Sequence, residues 1–311
     1  NTDSTFSLTL PSNAYEQIRL FLWGKRYLGS FIADGGNYRL QIDAAATHPI
    51  SILEGKNEKN MEVSRLMDEL GQDVFDILSR KGDKWGITQD TIATSVSRKL
   101  QDAVLALDEK IKGVDEDLYE KACQNTRIQT MWAFQNQLFG IAYRYSEATK
   151  QSWLKEWEKM MEFCRVNHPA STFSPAFHEV IYNNAGITYY TKEEPVDEDL
   201  KKNPNKLIFN YIEKNLTGQA QESAMALLFL RDANEEKYDP EILPLEERFE
   251  QLYPQSKWQP LIDEAIAKNK AFNQAKIPDY IHFPDVDNAK TFKDITDLYK
   301  GKVIFMDIWA T

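Results

Sequence analysis

The sequence has few of the residues that carry out catalysis, and cysteine is the scarcest of them. Two cysteines, Cys123 and Cys164, occur in 311 residues, which excludes a fold held together by a framework of disulfides. Their separation is unrelated to the Cys-x-x-Cys spacing of redox-active pairs. They also fall on different predicted helices, at different distances from the turn between them. We therefore interpret them as two buried free thiols, with a disulfide and a redox pair as the alternatives.

Histidine is scarce as well, and its positions form no metal-binding pattern. The four histidines, His48, His168, His178 and His282, fit neither His-Glu-x-x-His nor another spacing of zinc ligands. The acidic run at 193–199 lacks the alternating oxygen ligands and central glycine of a calcium loop, so we interpret it as a solvated connector. A glycine-rich phosphate loop, a Gly-x-Ser-x-Gly motif and a Ser/His/Asp order are also missing. The sequence thus predicts no catalytic, cofactor-binding or metal-binding residue, and no cofactor.

Positive charge and long apolar runs are scarce too. With 37 basic and 48 acidic residues the net charge is -11, and no cluster of Lys and Arg interrupts this excess, so nucleic acid is not expected as a partner. The longest apolar run, Ala224 to Leu230, is far shorter than the roughly 20 residues that span a bilayer. The sequence therefore predicts no transmembrane segment.

Alternating apolar residues typical of β-strands occupy the N-terminal part. Residues 1–55 carry apolar side chains two positions apart, as at Leu8 and Leu10. The run from Asp34 to Asn37 has the Asp-Gly chemistry of two-residue hairpin turns. These features predict a small antiparallel β domain, arranged as a meander or a sandwich.

From residue 56 to 275 the apolar period changes to that of helices. The clearest helix, which Thr88 or Asp90 can cap, has an apolar stripe at Ile92, Val96, Leu100, Val104, Leu107 and Ile111. A later helix that contains Cys164 is predicted to end at Pro169. The interval predicts a large all-helical domain, with an array of helix pairs as an alternative. With the strands before it, this gives an α+β fold class.

Aromatic residues are numerous in the helical part. They are Trp132, Tyr143, Tyr145, Trp153, Trp157, Phe177, Tyr189, Tyr190 and Trp258. Ordinary helix–helix packing is the interpretation that we favour. A groove for an unfolded polypeptide or a glycan is the alternative, because aromatic rings supply a large contact area at low entropic cost.

Residues 276–311 contain the most specific pattern in the chain. Pro278-Asp279-Tyr280 precedes Thr291 to Ile295 and Leu298, and Gly301-Lys302 then leads into the apolar stretch Val303 to Trp309. This order and spacing resemble the entry to the redox domain of thioredoxin-like proteins of the TlpA/ResA kind. In that family the strand runs directly into Trp-Cys-x-x-Cys. The N-terminal strands also resemble the small β domain of Bacteroidetes-type members.

The resemblance implies that the chain is the non-catalytic N-terminal portion of an exported thiol–disulfide oxidoreductase, with 276–311 as an incomplete thioredoxin-like domain. It also implies a place in the cell envelope or periplasm, lipid anchoring of the parent protein, and envelope proteins as partners. Asp307, which in an intact domain could assist proton transfer, is interpreted here as structural or solvent-exposed. An autonomous helical module that binds a peptide or glycan, and a scaffold for oligomerisation, are the alternatives.

Overall fold

The computed structural model describes residues 15–22, 26–43, 50–79, 91–142, 146–276 and 290–301. Within them, four strands come first and eleven α-helices follow. This order confirms the predicted α+β class, with a small antiparallel β region ahead of a large helical one. The apolar stretch at 303–309, including Asp307, lies outside the described residues. None of the described helices combines the length and the apolar character needed to cross a membrane.

The strands form two separate antiparallel sheets of two strands each. β1 (Glu16–Leu22) pairs with β2 (Arg26–Ala33), and β3 (Arg39–Ile42) pairs with β4 (Ile50–Glu54). A register shift interrupts each pair, after Leu20 in the first sheet and after Arg39 in the second. The antiparallel pairing predicted from the alternating pattern is therefore present.

The turn from Asp34 to Asn37 joins β2 to β3, which lie in different sheets, so the hairpin predicted at this position is wrong. Gly35 does take a positive φ, 82°, as the Asp-Gly pair favours. The Asp34 carboxylate accepts hydrogen bonds from the Tyr38 hydroxyl and, at 3.1 Å, from the Asn57 side-chain amide. Because Asn57 directly precedes the first helix, the turn ties the strands to that helix.

The strand β2 packs against α1 (Glu58–Ser79). Ile32 is 1% exposed, and its backbone N–H donates to the Ser64 hydroxyl at 3.1 Å. That hydroxyl in turn donates to the Asn60 carbonyl at 2.9 Å. Ile32 belongs to the same apolar core as the helices. The division into separate domains near residue 55 stays a prediction.

The helical part contains helices of very different length. Those after α1 are α2 Thr91–Lys110, α3 Glu116–Ala142, α4 Glu147–Cys164, α5 Phe177–Gly186, α6 Glu198–Lys201, α7 Pro204–Asn215, α8 Gly218–Asn234, α9 Leu243–Leu252, α10 Gln259–Gln274 and α11 Phe292–Asp297. Short 3₁₀ turns cover Pro169–Phe173 and Pro240–Ile242, and a π-helical turn covers Ile187–Thr191. The 27-residue α3 has buried residues on every side, so it is the central helix of the fold.

The apolar stripe predicted for the helix at 92–111 is confirmed. α2 buries Val96, Leu100, Val104 and Leu107, and Ile111, just beyond its last residue, is buried too. The predicted cap at Thr88 or Asp90 lies outside the described residues. The helices predicted between residues 207 and 266 correspond to α7 through α10.

The end of α4 differs from the prediction. The helix ends at Cys164, and Pro169 opens the following 3₁₀ turn instead of stopping α4. The residue that stops it is Arg165, which has a left-handed backbone conformation with φ 46°. Helices often end on a left-handed residue, but the residue is usually glycine because it has no Cβ to clash with the backbone.

Candidate functional site

Both cysteines are free and buried, which confirms the favoured interpretation. Cys123 lies within α3 and Cys164 is the last residue of α4, so neither occupies a helix N-terminus. The pKa of each thiol is raised to about 12, by burial at Cys164 and by burial together with the Asp108 carboxylate at Cys123. A thiolate nucleophile is therefore strongly disfavoured at both positions.

The charges beside Cys123 form an ion pair between α2 and α3. Arg127 Nη1 donates to Asp108 Oδ1 at 3.2 Å, Nη2 donates to Oδ2, and both side chains are nearly buried. Nη1 also donates to the Cys123 carbonyl at 2.9 Å. Each buried charge thus has its partner, and the pair has a structural role.

The described histidines lie apart from one another in the chain, and none belongs to a group of candidate metal ligands. His178 is largely buried, and its Nε2 atom has no hydrogen-bond partner among the described residues. Burial, with a contribution from the nearby Arg231 charge, lowers the pKa of His178 to about 4. Its ring lies 4.5 Å from that of Tyr182, over which the Arg231 guanidinium stands at 4.1 Å. His48 and His282 lie outside the described residues.

Three carboxylates that the sequence does not reveal as a group come together on α9 and α10. Glu246, Glu250 and Asp263 each offer an oxygen within 4.8 Å of the other two. Gln259 donates to Glu250 at 3.2 Å and to Asp263 at 2.9 Å. Calcium takes about six to eight oxygen ligands, so this group would hold it only with water or a further ligand. We assign no metal to it.

Aromatic side chains pack mainly in the core, as the favoured interpretation has it. Trp153 and Phe177 are each 1% exposed. Trp157 and Tyr189 are also buried, but both line a surface groove. Of the others, Trp132 and Tyr190 are exposed, Trp258 is half-buried, and Tyr143 and Tyr145 lie outside the described residues.

The groove lies between α4 and α7, and we call it the α4–α7 groove. It consists of two adjoining depressions of about 380 and 260 Å³, which share the side chains of Met161, Tyr211 and Asn215. Helical spacing builds its walls, because residues three or four positions apart lie on one face of a helix. The α4 wall contains Trp157, Glu158, Met161 and Glu162, and Arg165 follows directly after the helix. The α7 wall contains Tyr211, Lys214 and Asn215.

A π-helical turn forms one end of the groove. The turn Ile187–Thr191 continues α5, and its wider winding shows in the hydrogen bond from Lys192 N to Ile187 O at 2.7 Å. Thr188 and Tyr189 of this turn line the groove. π turns are rare in proteins and occur frequently at functional sites.

Lys192 follows the π turn and is held by two carboxylates. It lies 2.8 Å from Glu158 on α4 and 3.0 Å from Glu194. These ion pairs fix the end of the groove to the α4 wall. The acidic run at 193–199 then continues as a largely exposed segment into α6, as predicted for a connector.

The opposite end of the groove is the turn after α4. Arg165 there has the left-handed backbone described above, which costs conformational energy in any residue with a Cβ. The buried Gln124 holds this turn from the core side: its Nε2 donates to Cys164 O at 2.7 Å, to Arg165 O at 3.1 Å and to Ser171 Oγ at 2.9 Å. The core therefore imposes the strained conformation, and the Arg165 side chain stays exposed.

The floor of the groove rests on a buried polar network. Trp157 Nε1 donates to Asn184 Oδ1 at 3.2 Å, and Gln135 Nε2 donates to the same oxygen at 2.6 Å. Both Gln135 and Asn184 are fully buried. Because the Asn184 oxygen accepts both hydrogen bonds, it fixes the orientation of the Trp157 ring and thereby the shape of the floor.

The α4–α7 groove offers binding contacts, and its described lining contains no nucleophile activated by a base. The Tyr211 hydroxyl is not such a group, since burial raises the pKa of Tyr211 far above its ordinary value. The histidine of the lining, His168, has its Nε2 atom 3.2 Å from Glu120, which is not a lining residue. The groove thus combines a buried apolar floor with charged side chains at the rim.

No protein-family model, curated protein or solved structure matches this chain. Its function is therefore inferred from the sequence pattern, the state of its thiols and the α4–α7 groove.

Proposed function

We propose that this chain is the non-catalytic accessory part of an exported thioredoxin-like thiol–disulfide oxidoreductase of the cell envelope, and that it presents partner polypeptides to the redox domain. The proposal is carried by the burial of both cysteines in the core, together with an open groove on the surface. A chain of this kind holds a polypeptide but does not attack a disulfide itself.

The segment before the predicted apolar strand supports the family resemblance. α11 begins with a capping box, in which the Thr291 hydroxyl accepts from Asp294 N at 3.2 Å and the Asp294 carboxylate accepts from Thr291 N at 2.8 Å. Leu298 follows the helix, and Gly301 has a positive φ of 81°. A capped helix, a leucine-bearing turn and a glycine thus precede Lys302, in the order that the resemblance implies.

The family assignment is tested by the coding sequence that follows Thr311. We expect it to continue directly into Trp-Cys-x-x-Cys and the remainder of a thioredoxin-like domain. A stop codon at this point, or a continuation without the paired cysteines, would overturn the assignment.

The absence of catalysis is tested on the purified chain. We expect no acceleration of insulin reduction by dithiothreitol. The native thiols should react with DTNB about a thousandfold more slowly than those of the denatured chain, since a pKa of about 12 lowers the thiolate fraction by that factor. Insulin turnover that disappears in Cys123→Ser or Cys164→Ser would contradict the proposal.

A second candidate function is an autonomous binding module that recognises a peptide or glycan without any redox domain. The α4–α7 groove favours it, because the groove is formed entirely within the helical part. Both candidate functions require that the isolated chain bind a ligand. The sequence after Thr311 separates them, since the accessory role alone requires Cys-x-x-Cys there.

A further inference from the structure

Two side-chain amides beneath the floor of the α4–α7 groove have hydrogen-bonding capacity that the described residues leave unused. Gln135 on α3 and Asn184 on α5 are each 0% exposed. Gln135 Oε1 and Asn184 Nδ2 have no hydrogen-bond partner among the described residues. A buried polar atom that gives up its hydration needs a new partner in return, so the two atoms indicate a bound ligand.

The orientation of both amides follows from Trp157. The indole Nε1–H can only donate, so the Asn184 atom that it meets at 3.2 Å is the oxygen. That oxygen also meets Gln135 at 2.6 Å, so the Gln135 atom there is the nitrogen, which donates to Val180 O at 3.2 Å as well. A flip of either amide would bring two donors or two acceptors together. The unpaired atoms are therefore Gln135 Oε1 and Asn184 Nδ2.

The two unpaired atoms define the chemistry of the ligand. One is an acceptor and the other a donor, and they belong to amides that are hydrogen-bonded to each other. A metal cation could contact only the Gln135 oxygen, and an anion only the Asn184 nitrogen. The groups that bond to the amides, the Trp157 indole and the Val180 carbonyl, are neutral, so an ion would be buried without a countercharge. A molecule that both donates and accepts is required.

The burial of the site limits the ligand to a small molecule. Both amides are fully buried, so a ligand between them has to fit inside the core. Water is small, donates and accepts, and commonly binds buried polar groups that lack other partners.

Other unpaired atoms on α3 lack this arrangement. Gln124 Oε1 and Thr130 Oγ1 are also buried and without a partner among the described residues. Gln124 Nε2 already donates to three acceptors, so that amide has only an unused acceptor. Gln135 and Asn184 differ because an unused acceptor and an unused donor lie on two directly bonded side chains.

We propose that an internal water molecule binds between α3 and α5, where it donates a hydrogen bond to Gln135 Oε1 and accepts one from Asn184 Nδ2. The water extends the network that orients Trp157, a residue of the groove lining. The floor of the α4–α7 groove then rests on a bound water as well as on side chains. The site lies within the helical part, so it is expected whether or not the chain continues into a redox domain.

A crystal structure of the chain, at a resolution that shows other buried waters, tests the position directly. We expect a density peak roughly 2.7–3.2 Å from both Gln135 Oε1 and Asn184 Nδ2. A direct hydrogen bond between these two atoms would overturn the proposal. So would the lack of a peak at this position where other buried waters are visible.

Transfer of magnetisation from water to side-chain amide protons, measured by NMR, tests the site in solution. The Asn184 Nδ2 protons should give a cross-peak with the sign of a long-lived bound water. Asn269 is the matched control, because it is 1% exposed but its Nδ2 already donates to Asp239 O at 2.9 Å. Cross-peaks of equal intensity at Asn184 and Asn269 would contradict the proposal.

Two variants of α3 locate the acceptor. Gln135→Met removes Oε1 and keeps Asn184 as the reporter, so we expect loss of the Asn184 cross-peak with water. Thr130→Val is the control on the same helix, since it removes a different unpaired buried oxygen and should retain the cross-peak. An undiminished cross-peak in Gln135→Met would overturn the bridge. If Gln135→Met does not fold, the density at Gln135 and Asn184 in the natural chain decides.

Discussion

The two sides of α4 differ in their exposure to water. Its inner side, with Trp153, Met160 and Cys164, is at most 1% exposed. Its outer side, with Glu158, Met161 and Glu162, lines the α4–α7 groove. Sulfur on the inner side is shielded from water and kept as a thiol, whereas charge on the outer side is free to meet a ligand. The comparison teaches that burial, more than residue type, decides which groups of this chain are available for function.

The largest effect is expected where a charge buried between α2 and α3 loses its partner. Arg127→Ala leaves Asp108 buried without its guanidinium, so we expect the free energy of unfolding to fall by about 3–5 kcal/mol in urea titrations. Arg65→Ala is the control, because it removes an exposed ion pair with Glu69 and should cost less than about 1 kcal/mol. Equal losses in the two variants would show that the core tolerates an unpaired charge.

A smaller effect should appear when a buried group of the core is protonated. Folding keeps His178 neutral by lowering its pKa from 6.5 to about 4, so its contribution is fully present above pH 6.5 and is lost as the pH falls towards 4. We expect this loss to be at most about 3 kcal/mol. The measurement is the free energy of unfolding of the natural chain minus that of His178→Gln between pH 8 and pH 4. A difference that stays constant over this range would show that His178 is accessible to water.

The smallest effect, and the one of opposite sign, belongs to the outer side. Arg165→Gly, at the residue that follows α4, relieves a left-handed backbone, so we expect the free energy of unfolding to rise by about 1 kcal/mol. Arg98→Gly, in the interior of α2, is the matched control and should cost about 1 kcal/mol. A loss of stability in Arg165→Gly would mean that the arginine side chain contributes to the fold itself.

Local patterns in the sequence predicted much of the fold. The stripe of α2 was predicted because Val96, Leu100 and Val104 recur at helical spacing. The free state of Cys123 and Cys164 was predicted from their positions on different helices, at different distances from the turn between them. The turn at Asp34 was wrongly predicted as a hairpin, because its carboxylate bonds to Asn57, a partner 23 residues away that local turn chemistry does not include.

The candidate site was predictable only in part. Trp157 and Tyr189 belong to the aromatic set that the alternative interpretation assigned to a groove. The two walls of the groove were not predicted to face each other, because they meet only when α4 and α7 pack, and no local pattern encodes that packing. The left-handed Arg165 was missed for a related reason: Gln124, far away in sequence, holds its turn in place.

The π turn at Ile187–Thr191 has a consequence for how this chain can change. The i→i+5 hydrogen bond of the turn holds one residue more than an α-helical bond would, so removal of one residue from the turn would restore α-helical winding and draw Lys192 towards α5. Lys192 would then leave the carboxylates that hold it, while the amphipathic face of α5 would be preserved. A one-codon deletion would thus reshape the end of the groove at Lys192 while α5 keeps its packing.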